Sequence, residues 1–296
     1  MEYMKGINTA LLTPFTREGK IDKEALKDHI DFLVEKGVHG IYILGTTGEA
    51  FLLDNEERKE VLELVINYAA ARVPVYVMVG SIPTDIACEL AVHAEEVGAS
   101  GIGAITPIYH SVNQREIKEY YCEIARSVSD DYPLYLYNLP DRSGSDLLLE
   151  TVLDLSKVIN IVGIKNSMSD MRRLYSLIDN LEGDFDVLQG CDPLILPAMV
   201  YGAKGAVSGI SNVFPELFVR LYDAIMEKDY AKAGELQKIC TQACDILQGG
   251  ASLAYLKNGV ALRGLKKTYT RKPLLDISKN ELVKLERDVK EILQYI

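Results

Sequence analysis

One lysine lies in an apolar run of the sequence, where it could act as a nucleophile. Residues 161–167 read IVGIKNS, and Lys165 shares one face of the predicted strand with Gly163 and Ile161. Burial disfavours the charged form of a lysine and lowers its pKa, which leaves a free amine able to attack a ketone and form a Schiff base. The alternative is a structural lysine whose stem packs while its amine reaches solvent.

Two tyrosines and an arginine follow other apolar runs. TPIYH contains Tyr109, and YLYNLPDRSG contains Tyr137 and Arg142. A phenol can carry protons, and a guanidinium suits bidentate capture of a carboxylate. The alternatives are packed aromatic side chains for the tyrosines and a surface ion pair for the arginine.

A turn rich in glycine and threonine follows the second apolar run. GTTGEA, residues 45–50, combines the hydroxyls of Thr46 and Thr47 with neighbouring backbone N–H groups that could bind a carboxylate or a phosphate. The lysine of a nucleotide-binding P-loop is absent, so nucleotide binding has no support. The alternative is a turn whose threonines satisfy its own backbone.

The elements that must position these residues alternate between short apolar strands and amphipathic helices. Eight strand segments recur along the chain: GINTALLTP, GIYILGTTGE, VPVYVMVGS, GIGAITPIY, YPLYLYNLP, IVGIKNS, DVLQGCD and GAVSGISN. Eight such units predict a (β/α)₈ barrel, with a doubly wound open sheet as the structural alternative. In such a barrel the active site forms at the carboxyl ends of the strands, where the residues above fall.

The strand pattern stops near residue 228. The segments EKDYAKAGELQKICTQACDILQGG, SLAYLKNGVALRGLKK and SKNELVKLERDVKEILQYI then read as helices. No linker rich in Pro, Gly or Ser precedes them. We therefore predict a catalytic barrel at residues 1–228 and a helical region at 229–296 that packs against it.

Composition excludes several classes of function. The 296 residues carry a net charge of -11, so nucleic acid and anionic membrane surfaces are not expected partners. The sequence contains no apolar run of bilayer length and no signal-peptide pattern, which predicts a cytoplasmic protein. Its five cysteines and four histidines form no ligand cluster, so neither a metal site nor a disulfide framework is predicted.

Taken together, the motifs resemble the dihydrodipicolinate synthase / N-acetylneuraminate lyase family of pyruvate-dependent class I aldolases. The resemblance covers nearly the whole chain and rests on five motifs in family order: GTTGE at 45–49, TPxY at 106–109, YNLP at 137–140, GIK at 163–165 and QGCD at 189–192.

The resemblance implies a mechanism without metal or cofactor. Lys165 would form the imine with pyruvate, and Tyr137 would carry protons, linked to Tyr109 by Thr47. Thr46 and Thr47 would hold the pyruvate carboxylate. The resemblance also implies that the backbone carbonyls of Gly190 and Val207 line the pocket. It implies further that Tyr109 is contributed by the partner subunit of a tight dimer, commonly within a dimer of dimers.

The resemblance leaves the aldehyde open. Arg142 is typical of the synthases, where this arginine binds the carboxylate of aspartate semialdehyde, so 4-hydroxy-tetrahydrodipicolinate synthase is the first expectation. Ala50 and Asn166 depart from the synthase patterns GTTGES and GIKEA, which keeps a 2-keto-3-deoxygluconate-type aldolase acting on glyceraldehyde as the alternative. A non-catalytic keto-acid-binding protein is a minor one. Feedback by lysine is not expected, because isoleucines replace polar residues at the matching positions: Ile82, Ile86 and Ile108.

Overall fold

The chain folds into a closed barrel of eight parallel strands, seen in a computed structural model that describes residues 3–296. The strands are β1 (Gly6–Ala10), β2 (Gly40–Ile43), β3 (Val75–Met78), β4 (Gly101–Ile105), β5 (Leu134–Asn138), β6 (Ile161–Asn166), β7 (Asp186–Gln189) and β8 (Gly205–Ser208). They pair in chain order, and β1 also pairs with β8, which closes the barrel. The predicted (β/α)₈ barrel is therefore confirmed, and the open sheet is excluded.

Helices connect the strands and surround the barrel. They are α1 (Lys23–Glu35), α2 (Asn55–Ala69), α3 (Thr84–Glu96), α4 (Gln114–Arg126), α5 (Pro140–Ser143), α6 (Leu149–Leu155), α7 (Met171–Asn180), α8 (Ile195–Tyr201) and α9 (Pro215–Met226). The C-terminal helices that follow are α10 (Tyr230–Ile246), α11 (Leu253–Leu262) and α12 (Lys279–Ile292). Within residues 3–296, none of the helices combines the length and the apolar character that crossing a bilayer requires.

Side chains cap the starts of several helices. Asp22 caps α1, and Asp54 caps α2 in a reciprocal pair with Glu57. The start of α3 has no side-chain cap. Pro83 occupies the cap position in an extended conformation, and Thr84 is the first helical residue.

Tyrosines opposite glycines fill the barrel interior. Tyr42 crosses Tyr137 edge to face, with ring centroids 6.3 Å apart. The hydroxyl of Tyr42 reaches Gly103, and the ring of Tyr135 reaches Gly163, at points where a Cβ atom would collide with them. Glycines inside these two strands therefore create the space that the large rings occupy.

The C-terminal helices share an apolar core with the last part of the barrel. Phe214 and Phe218 of the α9 region pack in one cluster with Leu236 of α10 and Leu256 of α11, and Ile7 of β1 belongs to the same cluster. The helices therefore lie against the barrel. The division into two domains at residue 228 stays a prediction.

Candidate active site

The carboxyl ends of the strands surround a cavity of about 410 Å³. Seven of the eight residues singled out in the sequence line it: Thr46, Thr47, Tyr137, Arg142, Lys165, Gly190 and Val207. They come from the ends of β2, β5, β6, β7 and β8 and from the short helix α5. Residues distant in sequence thus meet at the end of the barrel where (β/α)₈ enzymes form their sites.

Lys165 lies at the base of this cavity between two aromatic rings. Its side chain projects from β6 next to Tyr137, its partner in the register with β5, and the residue is only 5% exposed. The Nζ atom is 4.0 Å from the centroid of the Tyr137 ring and 4.8 Å from that of Tyr42. It forms no ion pair with a carboxylate of the described residues. The amine is thus directed into the cavity by apolar ring faces.

Tyr137 lies beside Lys165 on β5 and contacts the threonine turn. The Tyr137 hydroxyl is 3.4 Å from Oγ1 of Thr46, and either oxygen can donate. The expected contact from Thr47 is wrong, because its Oγ1 lies beside Gly209 after β8. Consecutive residues of this tight turn point in different directions, so only one of the two hydroxyls can meet Tyr137.

The turn at 45–50 is held in a conformation that a free peptide would not favour. Leu44 and Glu49 both have a φ of 56°, in the left-handed region where a Cβ atom is disfavoured. Backbone bonds run from Glu49 N to Thr46 O (3.2 Å) and from Ala50 N to Gly45 O (3.4 Å). This geometry presents the exposed Thr46 and the half-buried Thr47 to the cavity.

Arg142 lies at the mouth of the cavity on α5. The helix begins at Pro140 and is held by Ser143, whose hydroxyl contacts Thr106 at 2.8 Å. The Arg142 side chain is exposed, and its guanidinium forms no ion pair within the described part of the chain. A rigid base with an unengaged guanidinium suits binding of an incoming carboxylate.

Tyr109 is the predicted site residue that a single chain does not bring into the cavity. It is 87% exposed, and its φ of 73° is unusual for a residue other than glycine. Its ring packs edge to face against that of His110, with 5.1 Å between centroids. A strained backbone that directs an aromatic ring into solvent is consistent with a role outside its own chain.

Comparison with known proteins identifies the family. The family model described as the dihydrodipicolinate synthetase family matches residues 3–292. The chain belongs to this family. It is 36% identical over 289 residues to a 4-hydroxy-tetrahydrodipicolinate synthase of Methanococcoides burtonii, which covers 97% of this chain and 98% of the relative. It is 38% identical over 284 residues to the probable 2-dehydro-3-deoxy-D-pentonate aldolase YjhH of Escherichia coli K12, which covers 94% of each.

A solved structure with a similar fold is described as a member of the same family. YagE of Escherichia coli K12, described as a prophage protein of the dihydrodipicolinic acid synthase family in complex with pyruvate, superposes with a TM-score of 0.94. It is 30% identical to this chain, and the match covers 99% of both chains. As a member of the dihydrodipicolinate synthetase family, the chain is a lyase of the aldolase class.

In this family member, sequence reasoning missed two residues near Lys165, of which Asp192 lines the cavity and Tyr42 packs beside the lysine. Asp192 is buried, lines the cavity, and has an Oδ1 atom without a hydrogen-bond partner among residues 3–296. Burial raises the pKa of its carboxyl to about 6, although a hydrogen bond from Ser208 and the charge of Lys165 act in the opposite direction. Its position as the last residue of QGCD, after β7, was the available signal.

Tyr42 is the other missed residue. Its ring forms one wall around Lys165, and its buried hydroxyl has no partner in the described portion of the chain. Burial and the neighbouring Tyr137 raise the pKa of Tyr42 well above its usual value, so it stays a neutral phenol. The pattern GIYIL contained no sign of this, since a tyrosine in a strand is an ordinary core residue.

Proposed function

We propose that this enzyme joins or cleaves pyruvate and an aldehyde through a Schiff base on Lys165. The observation that carries the proposal is the buried amine, held between the rings of Tyr42 and Tyr137 without a carboxylate partner. An amine that lies at the cavity without an ion pair is placed to attack a keto carbon. The likeness to YagE, whose described structure contains pyruvate, supports the choice of keto acid.

The proposed reaction needs only groups that line the cavity. The Lys165 amine adds to the keto carbon, and water leaves as the protonated imine forms. The imine withdraws electrons, so the methyl group loses a proton to give an enamine whose carbon attacks the aldehyde. Tyr137, within 3.4 Å of Thr46, is the candidate general acid and base. Hydrolysis of the product imine returns the free lysine.

The carboxylate of pyruvate would bind at the threonine turn. Hydroxyls of Thr46 and Thr47 and the neighbouring N–H groups supply donors on one side of Lys165. Gly190 and Val207, at the ends of β7 and β8, line the same cavity, and their carbonyls are further candidate contacts. This arrangement would orient the keto carbon towards Nζ.

Aspartate semialdehyde is the first candidate aldehyde, which would make the enzyme a 4-hydroxy-tetrahydrodipicolinate synthase. Arg142 carries this choice, because its guanidinium lies at the cavity mouth without an ion-pair partner in the part of the chain described. The Methanococcoides burtonii relative, which bears that name, supports it.

A 2-keto-3-deoxy sugar acid aldolase is the second candidate. Asp192 favours it, since a buried carboxyl oxygen without a partner would accept a hydrogen bond from a hydroxyl of an aldehyde such as glyceraldehyde. The relative named as a pentonate aldolase supports this reading at a similar identity. The two candidates differ in whether the acceptor carries a carboxylate or hydroxyls.

A homo-oligomer, with a dimer of dimers as the expected form, is part of the same proposal. Tyr109 is exposed on a strained backbone and lies outside its own cavity, which supports insertion of its ring into the site of a neighbouring subunit. Exposed Phe51 and Ile82 add apolar surface that a partner would cover.

Borohydride reduction in the presence of pyruvate, followed by intact mass and peptide mapping, tests the proposal. We expect a reduced pyruvyl adduct on Lys165 in the wild-type protein and none in Lys165→Ala with the fold retained. The same preparation is then assayed with aspartate semialdehyde and with glyceraldehyde. An adduct without turnover of any aldehyde would indicate the minor alternative, a keto-acid-binding protein, and turnover by Lys165→Ala at the wild-type rate would exclude the Schiff base.

A further inference from the structure

A buried ion pair connects the C-terminal helices to the threonine turn. Lys257 of α11 donates from Nζ to Oε1 of Glu49 at 2.6 Å, and their side chains are 1% and 0% exposed. Glu49 is the residue that follows GTTG, so the carboxylate lies directly behind Thr46 and Thr47. Charges buried to this extent are rare in proteins and strongly destabilising unless every bond is made.

Every hydrogen-bonding group of this pair is engaged. The Lys257 ammonium also donates to the carbonyls of Thr13 (2.7 Å) and Tyr269 (2.6 Å), which accounts for its three protons. The second Glu49 oxygen, Oε2, accepts from the backbone N–H of Arg271 at 2.9 Å. Both charges are therefore fixed in position by partners from three separate parts of the chain.

The pair acts on a backbone that would otherwise relax. Glu49 has a left-handed φ of 56°, which persists in a non-glycine residue only when the surroundings impose it. Thr13 restrains the same turn a second time, since its hydroxyl donates to Gly48 O at 2.7 Å. Removal of the Lys257 ammonium would take away the strongest of these restraints and free Thr46 and Thr47 to move.

We propose that Lys257 is a positioning residue, which holds the carboxylate-binding turn at 45–50 in its active geometry through Glu49. The proposal rests on the proposed function for the identity of the ligand, pyruvate. It assigns the C-terminal helices a part in substrate binding: Gly250 and Ala251, just before α11, line the cavity directly, and Lys257 acts on it from behind. Lys257 itself does not touch the cavity.

The test compares Lys257→Met with a matched control, Arg263→Met. Arg263 of the C-terminal region also forms a largely buried ion pair, with Glu216 of α9 at 2.7 Å. Its guanidinium bonds to Glu216 and to the carbonyl of Val213 but not to the turn at 45–50. The concentration of pyruvate that gives half-maximal borohydride trapping on Lys165 is measured for each. Because one hydrogen bond to a charged group changes affinity about tenfold or more, we expect a rise of at least that size in Lys257→Met, with full trapping at saturation. The control is expected to change by less than about twofold.

Hydrogen exchange of the amides at residues 45–50 in the ligand-free protein provides a readout that needs no substrate. We expect exchange at least about tenfold faster in Lys257→Met than in the wild type, and wild-type rates in Arg263→Met. If Lys257→Met does not fold, the double variant Glu49→Gln/Lys257→Met replaces the pair by neutral groups, and the same two changes are expected of it. Wild-type exchange and wild-type half-saturation in a folded variant would overturn the proposal. Failure of pyruvate to trap even the wild-type protein would overturn the proposed function instead, and the exchange result would still decide the role of Lys257.

Discussion

Replacement of Lys165 by methionine should stabilise the protein while it abolishes imine formation. The lysine is 5% exposed, and its ammonium contacts two aromatic rings but no carboxylate. Methionine is unbranched and only one atom shorter than lysine, so it can still pack against the rings, and the change removes mainly the charge. A functional amine in an apolar site thus lowers the free energy of unfolding, as expected for a site built for reactivity.

The size of this stabilisation follows from two opposing contributions to the free energy of unfolding. Burial of one ion costs several kcal/mol, and two ring faces recover about 2–3 kcal/mol of that cost. We therefore expect the free energy of unfolding of Lys165→Met to exceed that of the wild type by about 1–2 kcal/mol, a rise in melting temperature of roughly 2–6 °C. Lys257→Met should have the opposite sign, because it leaves the buried Glu49 carboxylate without its partner.

The stability gained by Lys165→Met should also depend on pH. The carboxyl of Asp192 has a pKa raised to about 6 by burial, so it is mostly neutral at pH 5 and charged at pH 8. The charged form attracts the Lys165 ammonium, which makes the wild-type lysine less costly at pH 8. The stability gain of Lys165→Met is therefore expected to be larger at pH 5 than at pH 8.

Urea unfolding at the two pH values measures the gain, and borohydride trapping with intact mass confirms the loss of the imine. A Lys165→Met protein less stable than the wild type at both pH values would refute the reasoning. It would mean that the contacts of the Lys165 ammonium recover the whole cost of its burial.

Three further predictions concern single side chains. Tyr137→Phe should lower kcat by about 10²- to 10⁴-fold, the usual cost of losing a general acid and base, and a rate within a few-fold of wild type in a steady-state assay would remove it from the mechanism. Arg142→Ala should raise the KM for aspartate semialdehyde about 10- to 100-fold and leave that for pyruvate nearly unchanged, whereas equal losses would indicate a structural arginine. Burial lowers the pKa of His29 to about 4. Below pH 6.5 the unfolded chain therefore takes up a proton that the folded protein does not, and the free energy of unfolding decreases as the pH is lowered. Because His29→Gln removes this proton, its stability relative to the wild type should rise by about 2 kcal/mol between pH 7.5 and 5 in urea unfolding, and a constant difference would show that His29 does not titrate as expected.

The architecture was predictable because parallel barrel strands are buried on both faces. Runs such as GIGAI and LYLYN are buried throughout, so they appear in the sequence as continuous apolar segments instead of alternating ones. Eight of them with helices between leave few other ways to bury so many strands.

The site was predictable where a residue's type was unusual for its place. A lysine inside an apolar strand and an arginine in a turn stood out, and both lie at the cavity. Which of the two threonine hydroxyls, that of Thr46 or that of Thr47, contacts Tyr137 depends on side-chain directions within the turn. Neither spacing nor composition determines these directions. Asp192 was overlooked because, although it ends QGCD after β7, an aspartate is also an ordinary residue at a helix start, and the burial of its carboxyl becomes visible only in the folded chain.

The distance along the chain between Glu49 and Lys257 has a consequence for how the protein is made. The two residues are 208 positions apart, and a ribosome adds roughly 5–20 residues per second. For about 10–40 s after the threonine turn is synthesised, the partner of its buried carboxylate does not yet exist. On the proposed role of Lys257, the nascent chain acquires the geometry of this turn only near the end of translation, and a prematurely terminated product would retain Lys165 but lack an ordered turn at 45–50.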